Sequence, residues 1–391
     1  MRFLILGSGL MGSVAAKYLI EKDIEVSVGS NDKKSLKYCA DFVGDPRLET
    51  VLIDVSNHDE TTKFLKENNF DVVINALPHV VSVPAIKAEI DAGVNIVDMA
   101  FERDQMHLRD RAKEMGVTMI TGCGVDPGIG NMLAGYGVVN VKNVESVKIY
   151  CGGLPRVPKP PLNYRILFHI NSVWNVYTRK ARIIRNGSLQ EVEALSGLEP
   201  IYVEGVGQLE AFFTDGLASL TFTFMEDERF RGIKDMFEKT LRYPGHVDKV
   251  KALIECELLS KEPINFKGME ITPREFLNTI LGPKLRLGDE EDLMVLKVIV
   301  EGEGGEEKQV FELVDYYDKK KKVTAMGRTT AYTASIVASL IASGKIRDKG
   351  MVTTEDLGTR KEVFREIIRM LREENIRIKA VKCEVLEDFT P

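Results

Sequence analysis

Residues 5–19 read ILGSGLMGSVAAKYL, and this stretch restricts the fold more tightly than any other. Phe3 to Leu6 form an apolar run with the length and character of a buried parallel strand. Three glycines follow at positions 7, 9 and 12, and an apolar-periodic segment comes after them. Arg2 ahead of an apolar run could open a secretory signal. Here the glycines interrupt that run, and Glu21, Lys22 and Asp23 follow it, so the segment is not read as one. The glycine spacing fits a strand that turns directly into a helix. Gly7 permits the tight turn, Gly9 lets backbone approach a pyrophosphate, and Gly12 lets the helix sit close on the strand. The first helical turn then offers unpaired N–H groups and the positive end of its dipole to phosphate. Behind a strand, this G-x-G-x-x-G pattern predicts a dinucleotide grip made by Gly7, Ser8, Gly9, Leu10, Met11 and Gly12.

The rhythm set by this unit continues to about residue 125. Apolar runs at 3–6, 24–28, 51–55, 72–76, 95–97 and 118–121 alternate with helical patterns such as 59–68 and 84–92. Six strands joined by crossover helices predict an α/β fold, a Rossmann-type doubly wound parallel sheet. Ligands of such sheets bind beyond the strand C-termini. That rule brings Asp54 and Val55, then Ala76, Leu77 and Pro78, then Ala100, and finally Val125, Asp126 and Pro127 toward the cofactor.

From about residue 144 the helical crossovers stop. Residues 145–150, 209–213, 219–224, 293–300 and 309–317 read as strands, and Asn186-Gly187 is a hairpin turn. A second, mixed α+β unit follows from this. The Pro-rich stretch 152–164 is either a linker or an ordered arm over a site. Lys319 to Lys322 reads as a solvated hairpin tip. The small-residue segment 329–345 predicts a helix that ends at Gly344 and returns to the first unit. Residues 363–371 are amphipathic, and 376–381 alternate like an edge strand.

A net charge of −6 argues against nucleic acid or an anionic membrane surface as the main partner. Five scattered cysteines without a CxxC pair suit a reducing, cytoplasmic setting and give no metal signature, so no metal is expected. The longest apolar stretch, near 331–342, is too short for a bilayer span.

Ribose selection is read at the end of the second strand. NAD-binding chains carry an acid there, and this chain has Ser30. Asp32 could reach the hydroxyls instead, or Ser30, Asn31 and Lys33 could accept a 2′-phosphate. NAD is expected, with NADP left open. Three groups qualify for proton transfer: Asp98 and Asp126 at strand ends, and His79, because histidine ordinarily titrates near neutrality. In GCGVDPGIGN, 122–131, glycines flank Asp126-Pro127 and allow close approach to a ligand. Asp126 also qualifies as the cap of the next helix.

Taken in order, GSGLMG, DVVINALP, GCGVDPG, CGGLP…PLNY, LEAFFT, KTLRYPGH and TAMGRTTAYTASIVASLI resemble the saccharopine dehydrogenase family, above all its lysine 6-dehydrogenase members. The resemblance implies a dinucleotide-binding domain at 1–125 with 326–391, and a substrate-binding and dimerisation domain at 126–325. It also implies a homodimer and an NAD(P)-dependent attack on the ε-carbon of L-lysine, giving 2-aminoadipate 6-semialdehyde and ammonia. Saccharopine dehydrogenase or reductase activity, or a non-catalytic NAD(P)H sensor, is the alternative. The lysine enzymes carry an acid where this chain has Ser30, and VDPG is shared with the saccharopine-cleaving enzymes. In this frame the substrate carboxylate needs a bidentate cation. Arg242 is the first choice, with Tyr243 and His246 beside it, Arg165 near the pocket, and Arg328 if the small-residue helix docks there. Phe101 puts an apolar ring where the saccharopine enzymes have a polar one.

Overall fold

A computed structural model describes residues 1–384. The first strands are β1 (Arg2–Leu6), β2 (Glu25–Ser30), β3 (Glu49–Leu52), β4 (Val72–Asn75), β5 (Asn95–Asp98) and β6 (Thr118–Ile120). They alternate with helices α1 (Leu10–Glu21), α2 (Lys33–Val43), α3 (His58–Asn68), α4 (His79–Ala92) and α5 (Arg109–Glu114). All are parallel, in the order β6-β5-β4-β1-β2-β3. The order reverses between β1 and β4, and the crevice at such a reversal is where ligands bind in doubly wound sheets. Phe3 to Leu6 and Val72 to Ile74 are fully buried, as expected of strands covered on both faces.

The chain then runs through α6 (Ile129–Asn140) into a mixed sheet. Its strands are β7 (Val144–Pro155), β8 (Ala181–Arg185), β9 (Ser188–Val192), β10 (Glu199–Val203), β11 (Gly207–Phe213) and β12 (Asp235–Arg242). The helices α7 (Ile170–Thr178), α8 (Leu220–Glu226), α9 (His246–Glu255) and α10 (Pro273–Leu285) pack around them. A small separate hairpin, β13 (Ile264–Phe266) with β14 (Met269–Ile271), precedes β15 (Asp292–Gly302) and β16 (Glu307–Tyr316). β12 runs parallel to β7, whereas β11 with β12, β15 with β7 and β16 with β15 are antiparallel. The Asn186-Gly187 turn joins β8 to β9, with positive φ at both residues, as a type I′ hairpin requires.

Several expectations change here. Residues 219–224 are not a strand: Leu220, Thr221 and Phe224 are buried at helical spacing, and α8 forms instead. Lys321 is not simply solvated, because it is paired with Glu21 and Glu374 at 3.0 Å each. The small-residue helix starts at Ala325, makes a π-turn at Arg328–Tyr332 and continues as Thr333–Ala342. It packs on β4 and β5, as expected of a returning segment. After it, β17 (Gly350–Val352) adds a seventh strand beside β6, unread in the sequence. The edge strand β18 (Ile378–Glu384) pairs with β16, so the region after 326 serves both sheets. No helix among the described residues is long and apolar enough to cross a membrane.

Candidate active site

The C-terminal ends of the parallel strands open onto a cavity of about 1380 Å³, whose far wall is the mixed sheet. On the near wall Gly7 sits at φ +103°, and a Cβ there would lie 2.4 Å from the Ala76 carbonyl oxygen. A Cβ on Gly12 would lie 1.8 Å from the Gly7 oxygen, so α1 rests directly on the turn. Gly12 therefore acts through packing and does not itself line the cavity. Gly9 precedes α1 with no side-chain cap, and no heavy atom beyond its immediate neighbours lies within 4 Å of its Cβ position. A helix N-terminus with free N–H groups thus faces open cavity, which fits a pyrophosphate.

The remaining predicted cofactor positions line the same wall: Ser8, Leu10, Met11, Ser30, Asn31, Asp32, Asp54, Val55, Ala76, Leu77, Pro78, Ala100, Val125, Asp126 and Pro127. The Asp32 carboxylate accepts a 2.9 Å hydrogen bond from the Lys34 N–H and so caps α2. The Asp54 carboxylate is held by the Ser56 N–H and hydroxyl, at 3.0 and 2.7 Å.

The proton-transfer candidates separate. Asp98 is fully buried and lies behind the wall. It accepts from Ser82, from Gln105 at 3.0 Å and from the Ala100 N–H at 2.7 Å, and burial lifts it to about 6. That network holds its carboxyl away from any ligand. His79 begins α4 on the cavity wall, its Nδ1 2.5 Å from Glu102 Oε1. Asp126 lines the cavity but does not cap a helix. Gly128 precedes α6, and Asp126 Oδ1 lies over Gly130, enclosed and without a hydrogen-bond partner among the described residues.

On the far wall, strand alternation turns Glu238, Thr240 and Arg242 of β12 to one face, and all three line the cavity. Cys151 and Gly153 of β7 stand beside them, with Cys151 in register with Thr240. Arg242 is buried. Its guanidinium lies 4.4 Å from the Tyr164 ring centroid, Nε donates to the Tyr177 hydroxyl at 3.0 Å, and one terminal nitrogen donates to its neighbour's carbonyl, Leu241, at 2.7 Å. It forms no ion pair among the described residues. Glu238 is also buried and accepts from the hydroxyls of Thr214 and Thr240. Burial holds Glu238 and Asp126 above the usual carboxylate range, and for Asp126 the Glu238 charge adds to it. Burial, then Asp126 and Glu238, also push the Cys151 thiol up.

Asp215 sits among Arg103, Arg179 and Arg182 at 3.2, 3.4 and 2.9 Å. Burial would raise this carboxyl, but the arginines, Arg182 first, hold it below its usual range. Arg179 also approaches Glu102 at 3.7 Å.

Four other expected groups stand away from the cavity. Arg165 donates to Glu290 at 3.2 Å and to the backbone carbonyl of Tyr164 at 3.0 Å. Tyr243 donates to the Pro155 carbonyl at 2.9 Å. His246 is fully buried against the Leu162 carbonyl and the Tyr177 hydroxyl, and burial drives it down to about 3. It braces the tyrosine that holds Arg242. Arg328 pairs with Asp315 and Asp318 at 3.1 and 2.8 Å. Phe101 does line the cavity, edge-on to Phe222. The Pro-rich stretch proves to be an ordered arm that brings Tyr164 to the wall. Glu238, Cys151, Thr214 and Arg179 were not foreseen. The polar residues at positions 238, 240 and 242, two apart and so on one face of the strand, are the signal that could have found Glu238.

Comparison with known proteins agrees with this geometry along the chain. Residues 3–120 match the saccharopine dehydrogenase NADP binding domain, and 124–376 match the saccharopine dehydrogenase C-terminal domain. The chain belongs to the saccharopine dehydrogenase family. Most of the near wall lies within the segment that matches the NADP binding domain. Mitochondrial alpha-aminoadipic semialdehyde synthase of Bos taurus is 23% identical over 96% of this chain and 47% of its own length. The chain thus spans about half the length of that relative. Carboxyaminopropylagmatine dehydrogenase of Synechocystis is 22% identical over 91% of this chain and 92% of its own. Apo saccharopine dehydrogenase (L-Glu forming) of Saccharomyces cerevisiae superposes with a TM-score of 0.77 at 20% identity, covering 98% and 99% of the two chains.

Proposed function

We propose that this chain oxidises L-lysine at its ε-carbon with NAD(P)⁺ and water, releasing 2-aminoadipate 6-semialdehyde, ammonia, NAD(P)H and a proton. The observation that carries this reading is Arg242, a buried guanidinium that faces the cavity without an anionic partner among the described residues. A buried cation needs a counter-charge, and a substrate carboxylate supplies one in bidentate geometry. The other arginine on the wall, Arg179, is already shared by Asp215 and Glu102, which leaves Arg242 as the lining arginine open to a substrate carboxylate.

A bound nicotinamide dinucleotide supplies the hydride acceptor. The remaining requirements fall on the chain. Arg242, held by Tyr177 and flanked by Tyr164, fixes the α-carboxylate. Asp126, a carboxyl on the cavity lining whose hold on a proton is strengthened by burial, takes a proton from the amine, which must be neutral before hydride leaves. Phe101 keeps the rim near the reacting carbon apolar.

Steady-state rates with lysine, ornithine and saccharopine test the reading. Lysine should be fastest. Ornithine is one methylene short, and misplacing the reacting carbon by about an ångström costs about 100-fold. A second reading, oxidation of saccharopine, draws support from the half-exposed Arg179 on the wall and from the size of the cavity. Faster turnover of saccharopine than lysine would replace the first reading with the second. Dinucleotide binding without turnover of any amine would make the chain a sensor.

A further inference from the structure

Glu238 and Arg242 share one face of β12, both are buried, and they carry opposite charges, yet they do not pair. Strand rise sets their Cα atoms about 13 Å apart. Their heads are tied elsewhere: Glu238 to Thr214 and Thr240, Arg242 to Tyr177 and the Leu241 carbonyl. Around Glu238 stand Asp126 before α6, Cys151 of β7, Asp215 after β11, and Thr240 and Arg242 of its own strand. Asp126 contributes a second carboxyl with one oxygen enclosed and unbonded. One end of the chamber is therefore acidic, and the other end is cationic.

We propose that Glu238 seats the cationic nitrogen of the substrate, and that with Arg242 it selects molecules bearing an amine and a carboxylate at opposite ends. Recognition at both ends asks for a carboxylate and an amine separated along one molecule. A terminal amine on a chain of methylenes can. Two acids at one end make the seat deeper for a cation than for a neutral group, because an arriving cation supplies the counter-charge that lets a buried acid give up its proton. The inference rests on the amine-oxidising reading of this cavity.

Calorimetry on the full chain with saturating NADPH tests it, using 6-aminohexanoate and hexanoate, which differ only in the terminal amine. The intact chain should bind 6-aminohexanoate at least ~10-fold more tightly. Glu238→Gln should bring that ratio to about one while leaving hexanoate and NADPH affinities unchanged. General damage to the fold would instead weaken both acids together. Where Glu238→Gln does not fold, Thr214→Val, which frees the carboxylate to move, should lower the ratio several-fold. An intact chain without the preference, or a variant that keeps it, overturns the assignment. A chain that shows the ratio and loses it in the variant but oxidises no lysine retains Glu238's role and abandons the lysine reading.

Discussion

Gly9 and Arg242 face the same cavity from opposite walls and meet it in opposite ways. Around Gly9 the wall is backbone: a turn, a helix end and small side chains, with no protein atom crowding the approach. Around Arg242 it is buried charge, held by tyrosines and threonines. A backbone wall recognises a group common to many ligands, since every chain can present N–H groups at a helix start. A charged wall recognises one arrangement of charges, and each group it buries is costly when left unpaired. Cofactor binding should therefore be sensitive to added bulk near Gly9, and substrate choice to lost charge near Arg242.

The largest effect expected is on the charged wall. Arg242→Met should lower kcat/KM for lysine by about 2–5 kcal/mol while leaving dinucleotide affinity intact, because one partner of a buried ion pair is removed. Equal losses in substrate turnover and dinucleotide binding would erase the contrast between the walls. On the backbone wall, Gly9→Val should weaken dinucleotide affinity by at least ~100-fold, about 3 kcal/mol, by filling the space where phosphate meets the helix. Titration of a folded variant checks this, and unchanged affinity would refute the pyrophosphate assignment.

Behind the backbone wall lies a buried acid that concerns stability. Glu89 of α4 accepts from Asn75 Nδ2 at 3.1 Å, while its Oε1 and Asn75 Oδ1 are buried without partners among the described residues. Burial lifts Glu89 from 4.5 to about 8. The native chain then keeps a proton that the unfolded chain releases. Stability from this group is fully present below about pH 4.5 and falls as pH rises toward 8, by on the order of 1 kcal/mol per pH unit. Urea unfolding at pH 5 and pH 7 should show the wild type losing on the order of 2 kcal/mol more than Glu89→Gln. Parallel losses would mean that Glu89 is ionised in the native state. The smallest effect is at the ribose. Ser30→Asp should shift the NADP-to-NAD affinity ratio toward NAD by about tenfold, through like-charge repulsion of a 2′-phosphate. A fixed ratio would remove Ser30 from the ribose.

The backbone wall was largely legible in the sequence, because glycine spacing and strand alternation are local signals. Gly7, Gly9 and Gly12 are close in sequence, and steric limits alone dictate their use. The charged wall was legible only in part. Arg242 could be read from its chemistry, but Arg165, Tyr243 and His246 carry the same chemistry and point elsewhere, because their partners Glu290, Pro155 and Leu162 are remote in sequence. Asp98 shows the same limit: its place at a strand end was right, and Ser82 and Gln105 decide where its carboxyl turns. Residues 219–224 misled because Thr and Phe favour strands in general, whereas their burial follows a helical repeat.

The seventh parallel strand, Gly350–Val352, lies beside Thr118–Ile120 although about 230 residues separate them along the chain. A ribosome adding ~5–20 residues per second needs on the order of ten to forty seconds to make that interval. Through that time the nascent sheet presents an uncovered parallel edge, and such an edge invites pairing with other chains. All of the mixed sheet except its edge strand β18 is synthesised within the wait. Shielding of that edge during synthesis, by a chaperone or by slow closure onto the growing mixed sheet, is thus part of what this sequence order demands of the cell that makes it.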